Sequence, residues 1–283
     1  MKSLRTIAAI CFQNLRKWQT DYRIWTIAVL VIIMVNIYVD DIRKIAVYLG
    51  TDVPIWIFPF LYSQYHTKVI YTLPVILIFC NAPFADQNQI FIYMRTGRVK
   101  WICGQILYIV FASAFYYIFL FIVTILCTML YGNFNMEWGK TLQTISVTLV
   151  ASDAGCPFVV ISPIVLNCFT PFQAVWFTFL MSLCGAVLLG LIIFFCNLVS
   201  RTRFLGVLIS SALVVLSVPA DISIGYLVKF SPISWTTLDK IDVGGMTAYP
   251  SFTYCISVYL VLIAILIAGI LIFGRKRELL WTM

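Results

Sequence analysis

The sequence is short of charge and nearly without histidine. Of its 283 residues, 11% are Asp, Glu, Lys or Arg and 62% are hydrophobic. A soluble domain carries roughly 25% charged residues, so these few charges cannot clothe a water-facing surface. The sole histidine is His66, which excludes the His-Glu-x-x-His zinc site of a membrane metalloprotease. His66 falls in a loop rather than deep in an apolar run, so it cannot serve a serine–histidine pair at membrane depth. Asp221 is the only acid within an apolar run, near its outer end, which leaves no intramembrane aspartyl pair and no relay of acids for a proton-coupled carrier. No Gly-x-x-x-x-Gly-Lys-Ser/Thr loop is present, so the chain has no phosphate cradle of that type. The nine cysteines follow no zinc or haem spacing. There is no polar stretch long enough for a second globular unit, no repeated selectivity-filter sequence and no clear inverted repeat.

What is present is apolar length. Mean hydropathy is +1.00, and a membrane-spanning helix needs about 20 mostly apolar residues. Six runs qualify: Ile24–Val39, Val69–Ala85, Ile102–Tyr131, Phe172–Ser200, Phe204–Val228 and Phe252–Phe273. The third and fourth are long enough to tilt. The first is short, but Arg23, Trp25 and Tyr38 suit the membrane interface. The chain is expected to be an all-α integral membrane protein, one domain over residues 1–283, with six spans.

Charge orients it. Thirteen Lys and Arg fall on the side of the N-terminal segment, the loops after spans two and four, and the C-terminal tail; six fall on the other side, with most of the acids. The basic side is expected in the cytoplasm, and an even number of spans puts both termini there. This asymmetry accounts for the formal charge of +8 without nucleic acid as a partner. No cleavage pattern follows the first apolar run, so that span is expected to be retained in a multi-pass plasma-membrane protein.

Residues 1–23 are more than a charged leader. Leu4, Ile7, Ala8, Cys11, Leu15, Trp18 and Tyr22 fall on one helical face, with Lys2, Arg5, Gln13, Arg16, Lys17, Thr20 and Arg23 opposite; Ile10 and Phe12 break the pattern. That is the pattern of an amphipathic helix lying in the cytoplasmic interface, with Arg5, Arg16, Lys17, Trp18 and Arg23 at the lipid boundary.

Residues 86–98 connect spans two and three. Asp86 suits a helix N-cap, Gln87 to Met94 form a short helical run, and Gly97 is placed to end it. Arg98, Lys100 and Trp101 then anchor span three. A short helix held between two spans reads as an ordinary loop helix with no partner, the commoner case for so short a loop, or as a lever, since a partner that pushed on it would move both spans.

This stretch resembles the cytoplasmic coupling loop of type 2 ABC-transporter permeases, which export antibiotics, peptides, lipids or polysaccharides. Asp86 matches the family's acidic position, Ile90-Phe91-Ile92-Tyr93-Met94 its hydrophobic short helix, Arg98 its Arg, and Gly104-Gln105 its Gly-Lys-like pair. The sequence departs from the pattern in having Asp for the usual Glu and Gln105 for Lys, and in lacking the Gly after the acidic residue. The resemblance implies that Asp86, Gln87, Gln89, Ile92, Tyr93, Met94 and Arg98 couple this chain to a separate ATPase subunit. ATP and Mg would be bound there, with no cofactor in this chain. A second permease subunit, identical or related, would complete a bacterial exporter. Peptide antibiotics or bacteriocins are the first cargo the resemblance suggests, with lipid or glycan export, or a non-ATP carrier or channel, as alternatives.

Residues 132–171 form an outer loop longer than that family commonly has. Its apolar part, 153–171, is broken by Pro157, Pro163 and Pro171. It is too short to span and suits a re-entrant or interfacial element. Cys156 and Cys168 share this loop, where pairing stays open. Residues 219–235 resemble the short outer helices that seal the pathway in type 2 permeases. Asn36, Asn81 and Asn197 lie within spans and are expected to bond between helices.

Overall fold

The fold is described from a computed structural model, which covers residues 2–84, 87–129, 131–132, 137–156, 158–200, 202, 204–222, 226–243, 245 and 247–276. Among these residues the fold is all-α, with one isolated bridge between Asp242 and Ser251. Helix α1 runs over Lys2–Arg16 and is continued by a 3-10 turn at Lys17–Gln19. The long or apolar helices that follow are α2 (Tyr22–Leu49), α3 (Tyr65–Phe79), α5 (Arg98–Met129), α9 (Pro171–Ser200), α10 (Phe204–Ile222) and α11 (Phe252–Lys276). Helix α4 (Gln87–Thr96) joins α3 to α5. Helices α6 (Gly139–Val147), α7 (Val150–Asp153) and α8 (Pro163–Cys168) lie between α5 and α9.

Five of these, α2, α5, α9, α10 and α11, are long and apolar enough to cross a membrane. The chain is a multi-pass membrane protein by that measure. Its outer surface agrees. Ile33, Ile37, Ile122, Val215, Leu260 and Ile265 are all exposed; in water such a coat would be a liability, whereas lipid solvates it.

Local chemistry moves several helix ends away from the apolar runs. Helix α2 starts at Asp21, whose carboxylate accepts the Arg23 amide, and continues ten residues past Val39 to Leu49. The extension carries Asp40, Asp41, Arg43 and Lys44 at helical spacing. Arg43 pairs with Asp40 at 3.0 Å and Lys44 with Asp41 at 2.9 Å. Such pairs support a helix beyond its apolar segment. Helix α3 shows the reverse. It begins at Tyr65 and stops at Phe79, six residues short of Ala85, because Pro83 disfavours helix in the residues before it. Helix α9 begins on a reciprocal cap: Gln173 Oε1 accepts the Thr170 amide at 3.1 Å and Thr170 Oγ1 accepts the Gln173 amide at 3.4 Å. Helix α10 ends at Ile222 rather than Val228, and a 3-10 turn takes over at Leu227–Phe230.

The core is built around α9, which packs against α3, α5, α10 and α11. Its residues Ala186 to Leu191 are buried without interruption. Asn197 near its end joins three elements: Nδ2 donates to the Ala82 carbonyl at 2.9 Å, and Oδ1 accepts the Gly206 amide at 2.8 Å. This is the interhelical bonding expected of Asn197. Asn36 instead lies on the exposed face of α2, and Asn81 sits in the turn after α3.

Pairs of contacts show how the helices alternate. Arg23 reaches Cys80, Asn197 reaches Ala82 and Gly206, and Arg98 reaches Arg275. Arg43 lies over the Tyr131 ring, Lys68 meets Asp221, and Tyr254 bonds the Lys229 carbonyl. The starts of α2, α5 and α10 therefore share one end of the bundle with the finishes of α3, α9 and α11. That end also carries α1 and α4.

The opposite end is capped by short elements. Thr141 of α6 bonds the Asp52 carbonyl at 2.6 Å, and Trp138 Nε1 bonds the Phe169 carbonyl at 2.9 Å. Val159, Ile161 and Val165 are buried, so the apolar part of 153–171 packs on protein rather than forming a plain loop. Cys156 is buried, Cys168 is exposed, and both are free thiols. Three 3-10 turns, Leu227–Phe230, Pro232–Thr236 and Leu238–Lys240, complete the cap. They are held by Trp235 Nε1 on the Val228 carbonyl and Tyr259 Oη on the Pro232 carbonyl, at 2.7 and 2.5 Å.

Candidate functional site

Helix α4 sits at the end of the bundle with α1. It closes with Thr96 Oγ1 on the Ile92 carbonyl at 2.7 Å and turns at Gly97, whose φ of +83° favours glycine. Helix α5 restarts at Arg98 without a linker, so α4 and α5 are coupled by one residue. Arg98 Nη1 donates to the Arg275 carbonyl at 2.9 Å. A cation there satisfies a terminal carbonyl of α11 and suits the negative end of its dipole. Three elements, α4, α5 and α11, thus meet at Arg98.

The side chains of α4 divide sharply. Ile92 packs partly buried against the core, whereas Phe91 and Met94 are each 73% exposed. They stand three residues apart and share a face. Of the residues expected to dock a partner, Met94 faces outward and Arg98 is exposed, but Ile92 faces this chain's own core. Phe91 shares the exposed face with Met94, and no sequence period marks that face, because Ile90 to Met94 are five apolar residues in a row. Asp86 lies outside the described residues, as do the side chains of Gln87, Gln89 and Tyr93.

Helix α1 is docked along α5 rather than merely resting in an interface. Ile10 and Cys11 are buried, and a Cβ on Gly104 would stand 2.7 Å from Ile10 Cγ2. The missing side chain is what lets the two helices meet. Beside it, Asn14 Nδ2 donates to Gln105 Oε1 at 2.7 Å, buried, and Trp18 Nε1 donates to Tyr108 Oη at 2.9 Å. The Gly104-Gln105 pair is therefore the seat of α1. Ile10 and Phe12, which broke the two-faced pattern, are explained by a third face: Ile7, Ile10, Asn14 and Trp18 meet α5, while Leu4 and Phe12 stay exposed at 73% and 70%. Among the expected interface residues, Arg5 and Arg16 are exposed, and Lys17 and Trp18 are half-buried. Arg23 is exposed and pairs with Asp21 at 2.9 Å.

At the opposite end lies a buried charge cluster. Lys68 of α3 is fully buried and paired with Asp221 of α10. Asp221 Oδ1 and Asp239 Oδ1 are buried without a hydrogen-bond partner. Burial pushes the Asp239 carboxyl up, against the pull of Lys240 and Lys68. Lys68 immediately precedes the second apolar run and Asp221 lies in the fifth; 153 positions separate them, and no local pattern pairs them. Among the described residues no group of His, Cys, Asp and Glu is arranged to hold a metal. The His66 ring lies tilted against Tyr65 and meets Phe158 edge-on, at 3.7 and 5.8 Å between centroids. No protein-family model matches this chain, and no curated protein matches it.

Proposed function

We propose that this chain is the membrane-spanning subunit of an ATP-driven ABC exporter, with six crossings and both termini in the cytoplasm. The observation that carries the reading is α4. It presents an exposed Phe91–Met94 face beyond the bundle, joins α5 through Gly97 alone, and meets the end of α11 through Arg98. Force applied to that face is transmitted to two long helices. The sixth crossing is α3. It has only 15 residues, about 22 Å of helix, but its flanks are covered by protein: Tyr38 bonds the Phe60 carbonyl, and Asn197 bonds the Ala82 carbonyl. Irregular backbone at membrane depth is tolerated where protein satisfies it. ATP and Mg are bound by a separate ATPase subunit docked on α4, a second permease subunit completes the pathway, and the cargo is amphiphilic, with peptide antibiotics first.

A non-ATP, ion-coupled carrier is the second reading, favoured by the buried Lys68, Asp221 and Asp239 cluster. Affinity purification from native membranes separates the two. The exporter reading expects an ABC ATPase to copurify with the wild-type chain and to be lost from Phe91→Asp/Met94→Asp at unchanged expression. A chain that transports with no ATPase present overturns it.

A further inference from the structure

A groove of about 500 Å³ runs between the end of α1 and the side of α5. Its volume falls within the range of about 300–1,000 Å³ typical of ligand clefts. It is lined by Phe12, Leu15, Arg16, Trp18, Gln19 and Phe115, and its two ends differ in chemistry. The floor is aromatic and fixed. Trp18 meets Phe115 edge-on with centroids 6.4 Å apart, and its Nε1 is held by Tyr108 Oη. Phe12 forms an exposed wall. At the mouth stand Arg16 and Gln19, both exposed, and Arg16 makes no ion pair among the described residues. On α5 the apolar stripe extends to both sides of Phe115, with Phe111 before it and Ile118 and Ile122 after it, each 43–47% exposed and spaced to share one face.

We propose that this groove binds one anionic phospholipid of the leaflet that holds α1. The phosphate engages the Arg16 guanidinium, whose planar fork suits bidentate contact with phosphate oxygens, and the Gln19 amide lies beside it. One acyl chain crosses Trp18 and Phe115 and follows the α5 stripe. The charge of Arg16 selects the headgroup, and the aromatic floor selects an acyl chain over a free anion. A second groove on α2, lined by Tyr22, Trp25, Thr26, Val29, Leu30, Ile33 and Met34, is of similar size, about 550 Å³, but has no cation in its lining. It is ordinary lipid-facing surface and provides the internal contrast. The inference rests on the membrane reading and not on the exporter reading.

The test uses the full-length chain in mild detergent, with phosphatidylglycerol and phosphatidylcholine added in turn and retention read by native mass spectrometry. The expected result is one retained phosphatidylglycerol per chain, preferred over phosphatidylcholine. Arg16→Gln lowers that preference about tenfold or more, the equivalent of one charge-assisted hydrogen bond. Arg5→Gln, on the same helix but outside the groove, leaves it unchanged, and soluble glycerol phosphate does not displace the lipid. Equal losses in Arg16→Gln and Arg5→Gln would show general surface charge and overturn the site. So would equal retention of phosphatidylcholine, or displacement by glycerol phosphate.

Discussion

Lys68 places its amine where water does not reach, and Asp221 pairs with it. Removing one member of such a pair strands the other, which costs about 3–5 kcal/mol, whereas replacing both with apolar residues is often neutral. Lys68→Met is therefore expected to lower thermal stability in detergent strongly, and Lys68→Met/Asp221→Leu to recover most of the loss. A double variant as unstable as the single one would show that packing, not charge, is what Lys68 supplies. Asp239 adds a pH dependence. Its carboxyl is raised above the ordinary value of about 3.9, chiefly by burial, with Lys240 and Lys68 opposing. A carboxyl raised on folding contributes stability that is fully present below the unfolded value and is lost as pH rises through the folded one. Melting temperature should thus fall as pH rises above the ordinary carboxyl value of about 3.9, and Asp239→Asn should flatten that slope. A slope unchanged in Asp239→Asn would place the dependence on another group.

Helix α1 shows how one element uses three solvents. Its Ile7, Ile10, Asn14 and Trp18 edge meets α5, Leu4 and Phe12 form an exposed apolar face, and Arg5 and Arg16 are exposed cations. The dock depends on Gly104. Gly104→Val drives a side chain into Ile10, and overpacking of this kind costs about 1–3 kcal/mol. The expected outcome is faster proteolysis within residues 2–19 at unchanged expression, because α1 is lifted from α5 while the rest of the bundle stays packed. Normal protection in Gly104→Val would mean that Ile10 yields without displacing α1. Two-faced periodicity found the helix but not the dock, because a buried seam and a lipid-facing stripe are both apolar and merge into one broad arc. Helix α4 was legible as a short helix ended by Gly97, yet its outward face was not. An unbroken apolar run has no period, and only packing against the core separates Ile92 from Phe91 and Met94.

At the scale of the whole molecule, lipid makes the long helices legible, since each must present about 20 apolar residues to the hydrocarbon. Five of the six expected runs are helices of that length. Their ends were less legible. Ion pairs carry α2 beyond its apolar run to Leu49, and Pro83 stops α3 early. The buried Lys68–Asp221 pair was hidden by its separation of 153 positions, since no period links residues so far apart. The same bundle geometry ties α4 to α5 and α11 at one end, the end where we propose that an ATPase drives the protein. Cysteine cross-linking in native membranes tests that proposal most directly. Cysteine is introduced singly at Phe91, Met94 and Ile92 in a variant with all nine native cysteines replaced. Phe91→Cys and Met94→Cys are expected to cross-link to a nucleotide-binding subunit, and Ile92→Cys is not. Active chains with no cross-link at either exposed position would contradict it.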